Sequence, residues 1–296
     1  MRNNILACGL WIVTGAFAMA ASPTGHRQQP VIRVKVPLVE VYASVYDRTG
    51  QYVEGLVRES FRVLEDGKPQ QIMNFEADSG RLSCAILLDT TGSMNEALPH
   101  VKNSIVKLID ILGPEDAVAI FTFDRRLVVR QEFTTDKAAA KRAVLRTRSE
   151  GQTALFDALS EVVQEISERP GKKALVVFSD GDDNASVLNA NSAVTRAKRA
   201  GIPLYAIAEG EATHSRELRR LLDDLSKRTG GASYQAKKPS EIEEVFQKIA
   251  VDLRHLYMLT YRPESVSEES RWRKVEVVLT GSKDLRVRAK EGYFPE

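Results

Sequence analysis

A chain of 296 residues that is 43% hydrophobic can bury a core sized for one large domain or two modest ones, which excludes a disordered polymer. Its 42 Lys+Arg against 40 Asp+Glu leave a formal net charge of +2, a balance that gives no general pull toward nucleic acid. One locally basic stretch, KAAAKRAVLRTR (137–148), is interleaved with Val144 and Leu145 and reads as an amphipathic helix with a solvated face.

The first twenty residues read as an export address. Arg2 supplies a positive start, Ile5 to Ala20 an apolar stretch, and Ala18-Met19-Ala20 a small-x-small cleavage pattern. The stretch is shorter than the ~20 residues a spanning helix needs, and no later segment could cross a membrane. We therefore expect residues 1–20 to be a signal peptide and the protein to be exported, periplasmic or secreted, with retention of the stretch as an uncleaved membrane anchor as the alternative. Cleavage there removes Cys8 and leaves Cys84 alone, so no intramolecular disulfide is expected, and Cys84 in the apolar SCAILL run reads as an inert core residue.

After a polar linker at 21–30, residues 31–78 alternate with period two. Val39, Val41, Ala43 and Val45 share one face and Glu40, Tyr42, Ser44 and Tyr46 the other. Turn chemistry follows at Asp47-Arg48-Thr49-Gly50, and at Asp66-Gly67 between FRVLE and QIMNF, as expected of hairpins. From residue 82 the pattern changes. Continuous apolar runs (CAILLD, AVAIFTF, ALVVFSD, PLYAIAEG) alternate with helical patterns, which predicts an α/β domain over 82–253 with a doubly wound, mostly parallel sheet covered on both faces. Its last helix places Ile242, Val245, Phe246, Ile249 and Leu253 on one stripe, with Glu243, Glu244, Lys248 and Asp252 outside it. The tail, 254–296, returns to strand patterns in HLYMLTYR, WRKVEVVLT and DLRVRAK; in the last, Leu285, Val287 and Ala289 oppose Arg286, Arg288 and Lys290. Each β flank is too small to close a core alone, so the two are expected to pack together as a small β-sandwich into which the α/β domain is inserted.

In an open parallel sheet, ligands bind beyond the carboxyl ends of the strands, where loops converge beside helix N-termini. Three such loops present Asp89, Thr91 and Ser93 from ILLDTTGSMN, Thr153 from Gly151-Gln152-Thr153, and Asp180 from SDGDDN. All are hard oxygen donors, a set that suits Mg²⁺, with Mn²⁺ or Ca²⁺ as alternatives, and offers nothing soft for zinc or copper. Taken singly, Ser93 and Thr153 serve equally well as helix N-caps and Asp180-Gly181 as a turn.

Taken together, the residues from about Leu82 to Leu253 resemble the von Willebrand factor type A domain. Asp89-Thr90-Thr91-Gly92-Ser93, Thr153 and Asp180 match its metal-ion-dependent adhesion site, with Thr91 standing at the first Ser of the D-x-S-x-S motif. The resemblance implies that Thr91 and Ser93 bind the ion directly, that Asp89 and Asp180 bind it directly or through water, and that Thr153 joins on ligand binding. A looser resemblance, to exported bacterial proteins with β flanks, rests on Glu65-Asp66-Gly67 and on Arg288-Ala289-Lys290-Glu291-Gly292-Tyr293. The function so implied is that of an extracytoplasmic module whose bound ion takes an Asp or Glu carboxylate from a protein partner, without enzymatic activity.

The alternative is a Mg²⁺-dependent, phosphatase-like hydrolase with Asp89 at the reacting centre. It lacks the second acid two residues on, where Thr91 stands, and the four His sit in no G-x-S-x-G context. Nor is SDGDDN a calcium loop, because Ala185 occupies the position of the required Gly. Asp182 and Asp183 are expected to surround the site with negative potential without being obligatory ligands. Crowded carboxylates further predict that Asp89→Ala leaves the metal-free fold intact or slightly more stable.

Overall fold

The alternation of Val39, Val41, Ala43 and Val45 becomes strand β1 (Val39–Tyr46), and β2 (Phe61–Glu65), β3 (Lys68–Gln70) and β4 (Ile72–Glu76) complete the N-terminal flank. The computed structural model describes residues 38–77, 80–149, 151–179, 183–209, 215–264, 271–281 and 284–295, all within one unit, Val36–Glu296. The expected signal segment and linker lie outside the described residues, as does Asp180.

The predicted α/β order follows. It runs β5 (Leu82–Asp89), α1 (Leu98–Ile111), β6 (Ala117–Phe123), β7 (Leu127–Thr134), α2 (Lys137–Arg146), α3 (Leu155–Ser167) and β8 (Lys172–Ser179). It continues through α4 (Ala190–Ala200), β9 (Leu204–Glu209), α5 (Arg216–Thr229), β10 (Ala232–Ala236) and α6 (Pro239–Arg254). The six strands are ordered β10-β9-β8-β5-β6-β7, parallel except for β7. Alternate residues of β5 feed two separate cores. Cys84, Ile86 and Leu88 pack with α1, α2 and α6, while Ala85 and Leu87 pack with α3, α4 and α5. Both faces are therefore covered, as the continuous apolar runs required. The chain leaves β5 for β6 on one side and later returns to β8 on the other, so the end of β5 is the switch point of the sheet.

The flanks pack as expected. The C-terminal flank comprises β11 (Tyr257–Tyr261), β12 (Arg273–Leu279), β13 (Arg286–Ala289) and β14 (Gly292–Tyr293). Its strands interleave with the N-terminal ones in two four-stranded sheets, β13-β1-β11-β4 and β14-β12-β2-β3. Val41, Val45, Phe61, Val63, Tyr257, Leu259 and Val275 form their shared core. Within it the looser motif acquires a physical meaning. Glu65 is buried, pairs with Arg273 at 2.9 Å, and accepts hydrogen bonds from Tyr261 (2.6 Å) and Tyr293 (2.8 Å). Gly292 is required beside it, since a Cβ there would lie 2.3 Å from the Arg273 carbonyl oxygen.

Two charged residues are buried at the junction between sandwich and α/β domain. Asp252 is fully buried rather than solvated; it accepts hydrogen bonds from Ser44 (2.8 Å) and Tyr46 (3.2 Å) and pairs with Arg288. Lys290 is also buried, and desolvation lowers its amine to a pKa of about 8. Arg288 and Lys290 are thus taken into the junction with the α/β domain, while Arg286 on the same stripe stays exposed. At the same junction the Lys172 ammonium donates to the Ala77 carbonyl (3.2 Å) and the Leu256 carbonyl (3.1 Å), tying together the chain's entry to and exit from the α/β domain.

Candidate metal centre

Strand β5 is buried along its whole length and ends in Asp89, whose carboxylate is fully buried. A charge so placed must be satisfied by neighbours. Its Oδ1 accepts from the Thr91 amide at 2.9 Å and its Oδ2 from the Ser179 hydroxyl, at the end of β8, also at 2.9 Å. Asp89 thereby fixes the turn that follows it. Thr90 secures the other side, its amide and hydroxyl both donating to the Phe123 carbonyl at 2.9 Å.

That anchoring brings Thr91 and Ser93 together, with Oγ1 and Oγ 3.0 Å apart. The separation fits a shared cation, because two neighbouring oxygens of an octahedron with bonds of ~2.1 Å lie ~3.0 Å apart. Thr91 is buried and Ser93 exposed, so the pair faces outward from a closed floor. Ser93 sits in a short 3-10 turn, Gly92–Asn95, which no side chain caps.

Thr153 reaches this edge by a different route. Gly151 has φ +96°, and a Cβ there would lie 2.8 Å from the Asp124 Cβ, so glycine lets the loop pass close over the end of β6. The Ala154 amide then donates to the Asp124 carbonyl at 2.9 Å. Thr153 itself is buried, its amide donating to Asn184 Oδ1 (3.1 Å) and its carbonyl accepting from the Asn184 and Ala185 amides (3.0 Å each).

The N-cap reading of these hydroxyls fails. Helices α2, α4 and α5 do carry side-chain caps, from Asp136, Asn189 and Ser215. Helix α3 is served otherwise: Asp183 accepts from the Phe156 amide at 2.9 Å and Ser186 from the Asp157 amide at 3.1 Å. Asp157 reciprocates, accepting from the Val187 and Leu188 amides at 2.8 Å each. Neither Thr153 nor Ser93 caps a helix, whereas Asp183, expected to act only through its charge, holds loop and helix together.

Asp89, Thr91, Ser93 and Thr153 lie on loops that meet at one end of the sheet, while Asp180 and Asp182 lie outside the described residues. Among the described residues no group of three or more His, Cys, Asp or Glu could hold a metal. Ser179, Asn184 and Asp183 were missed as supports; the position of Ser179 directly before Asp180 was the available signal. Because Asp89 accepts two internal hydrogen bonds, the expectation that Asp89→Ala spares or strengthens the metal-free fold is corrected: it would remove the acceptor of the buried Thr91 amide and one bond of Ser179. Cys84 is inert as expected, burial pushing its thiol up to about 12.

Comparison with known proteins agrees with this fold. The family model for the von Willebrand factor type A domain matches residues 84–248. An uncharacterized protein, sll0103, of Synechocystis sp. is 30% identical over 107 residues, and the match spans only 26% of that relative. Among solved structures, a von Willebrand factor type A protein from Catenulispora acidiphila superposes with a TM-score of 0.53 at 14% identity, covering 88% of this chain and 75% of that one. The vWF domain of the type V pili tip protein Mfa5 from Porphyromonas gingivalis gives 0.50 at 11% identity over 58% and 94% of the two chains. Proximal thread matrix protein 1 from the mussel byssus, with a zinc-occupied MIDAS motif, gives 0.52 at 17% identity over 62% and 48%.

Proposed function

The chain belongs to the von Willebrand factor type A domain family, and from that premise we propose that it is an exported protein-binding module whose bound divalent cation takes an Asp or Glu carboxylate of a partner. The observation that carries the reading is the Thr91–Ser93 hydroxyl pair, 3.0 Å apart, on a turn that buried Asp89 holds from below. Thr91 and Ser93 would hold the ion directly, Asp89 and Asp180 directly or through water, and Thr153 would stand ready to join them. A Mg²⁺ ion so held keeps much of its positive character and supplies an electrophilic position for a partner's carboxylate. Mn²⁺ and Ca²⁺ would serve with altered affinity, and the zinc in the mussel protein supports occupancy by a divalent cation in this fold.

What the chain's own residues do is orientation. Asp89 sets the direction of the Thr91 amide and hence of both hydroxyls, Ser179 keeps Asp89 from rotating, and the Asn184–Thr153 bonds tie the second loop to the third. The hydrolase alternative fits these contacts poorly. A nucleophilic carboxylate must reach its substrate, and Asp89 is fully buried with each oxygen accepting a hydrogen bond.

Export rests on the apolar N-terminal stretch and is supported by the pilus proteins among the similar folds; no helix among the described residues is long and apolar enough to cross a membrane. The test is titration calorimetry of Mg²⁺ into the full chain, with a pull-down from envelope and medium fractions in Mg²⁺ or EDTA. Asp89→Asn should lose ion uptake and partner capture together. A wild-type chain that takes up no ion would return these hydroxyls to structural roles.

A further inference from the structure

Between β7 and α2 runs a groove of about 350 Å³ lined by Arg130, Gln131, Ala139, Arg142, Ala143 and Arg146. Arg142 and Arg146 stand four residues apart on one helix face, where like charges oppose each other at a small cost to the helix. Ala139 and Ala143 leave the floor between them low. Across the groove, Arg130 is fixed in place: its Nε donates to the hydroxyl of fully buried Thr122 at 2.8 Å, which holds the guanidinium against the wall.

Little neutralises these charges. Asp136 comes within 4.0 Å of Arg142, and Arg130, Arg146 and Arg148 make no ion pair among the described residues. Glu132 lies near Arg130 on β7 without pairing with it, and Asp110 is taken by Lys141.

The positive line leads to the metal centre. Beyond Arg146 the chain passes Arg148 and reaches Ser149, whose hydroxyl donates to Asn95 at the end of the turn that carries Ser93. Lys102 of α1 closes the flank, donating to the Leu145 carbonyl at 3.0 Å, and burial together with nearby Arg148 lowers its amine below the usual lysine range.

We propose that the Arg130–Arg142–Arg146 groove is a second half of the partner-binding surface, in which an acidic peptide segment that offers one carboxylate to the metal centre lays further Asp or Glu side chains along the arginines. The inference rests on the metal-dependent reading of Asp89, Thr91 and Ser93. Spacing favours an extended acidic segment: same-face side chains of a strand recur every ~6.7 Å, close to the 5–6 Å between neighbours four apart on a helix. Guanidinium forks suit carboxylates in this role.

The probe is a fluorescent oligoglutamate peptide of about eight residues, long enough when extended at ~3.3 Å per residue to run from the turn into the groove. In Mg²⁺ the full-length wild type should bind it, with affinity falling as salt rises. The exposed pair Arg142→Gln/Arg146→Gln should weaken peptide binding about tenfold while calorimetric Mg²⁺ affinity stays unchanged. Asp89→Asn should reduce binding through the other half of the surface. Unchanged peptide affinity in the double arginine variant would overturn the proposal and leave the metal reading standing. Peptide binding that needs the arginines but ignores EDTA and Asp89→Asn would overturn it too, by showing a groove unconnected to the ion. Inorganic pyrophosphate that binds the wild type without competing with the peptide, but is lost in the arginine variant, would assign the groove to small anions instead. Failure of the wild type to take up Mg²⁺ would be read separately, in the calorimeter, as failure of the metal reading.

Discussion

The two ends of the six-stranded sheet handle buried polarity in opposite ways. At the amino end of β8, charges meet fixed partners: Lys172 spans the Ala77 and Leu256 carbonyls, Lys173 pairs with Glu40 at 2.7 Å, and at the same junction Asp252 takes Arg288. At the carboxyl end, Asp89 is also buried, and its bonds to the Thr91 amide and the Ser179 hydroxyl fix the turn on which the neighbouring Thr91 and Ser93 hydroxyls stand. One end uses charge to join two modules and the other to fix a turn that carries two neighbouring hydroxyls. The difference teaches that burial of an acid does not by itself mark a functional site; what matters is whether its partners close the network or hold it open.

Breaking the closed end should cost most. Asp252→Ala removes the acceptor of Ser44, Tyr46 and Arg288 at once, and a buried pair broken on one side costs about 3–5 kcal/mol. Urea unfolding should show that loss, while the remaining folded protein still takes up Mg²⁺. A loss under ~1 kcal/mol would mean that the junction is not held by this network.

The open end should respond to the ion instead. Free Mg²⁺ at a hundred times its dissociation constant should stabilise the wild type by about 2.7 kcal/mol, and Asp89→Asn should abolish that increment. Asp89→Ala should also lower metal-free stability, by about 1–3 kcal/mol, because the buried Thr91 amide loses its acceptor. Melting curves in Mg²⁺ and EDTA decide both points; a wild-type curve indifferent to the two would remove the contrast between the ends.

Much of this architecture is legible in the chain because its signals are local. The runs of β5, β6, β8 and β9 are apolar on both faces, the α6 stripe keeps helical spacing, and the hydroxyls of the metal centre sit two residues apart in one turn. Strands β7 and β10 went unread because LVVRQEFT and ASYQA are half-exposed edge strands without a continuous apolar run. The burial of Asp252, Arg288 and Lys290 is not legible for a deeper reason: one element alone shows only that a charged residue lies off its apolar face, and the partner that buries it is distant in sequence. Supports such as Ser179 and Asn184 are hidden likewise, since their partners are 90 and 31 residues away.

Lys290 sharpens the comparison through pH. Its amine titrates near 8 when folded against 10.5 when unfolded, so between those values the unfolded chain binds more protons and stability rises with pH. The destabilisation is fully present below pH 8 and is relieved toward pH 10.5. Its size is on the order of 3 kcal/mol, and Lys290→Met should remove the dependence. The difference in urea midpoint between wild type and Lys290→Met, followed from pH 7 to 10, isolates this lysine from the tyrosines and Cys84, which pull the other way at high pH. A constant difference would show that the amine keeps an ordinary affinity for its proton.

The smallest effect separates charge from architecture at the open end. Asp183 was expected to act on the cation through its field, yet its carboxylate accepts from the Phe156 amide at the start of α3 and from the amide and hydroxyl of Ser186. If the contacts matter more than the charge, Asp183→Ala should cost about 1 kcal/mol, as loss of a helix cap does, and Asp183→Asn, which keeps an acceptor oxygen, distinctly less. Both variants remove the same charge, so both should weaken Mg²⁺ only slightly and equally, and the weakening should fade as salt shortens the Debye length from ~30 Å at 0.01 M to ~8 Å at 0.15 M. Thermal melts measure the first quantity and calorimetry the second. Loss of all Mg²⁺ uptake in a folded Asp183→Asn variant would make this carboxylate a ligand, and the loop that follows β8 would then hold the ion through more than Asp180.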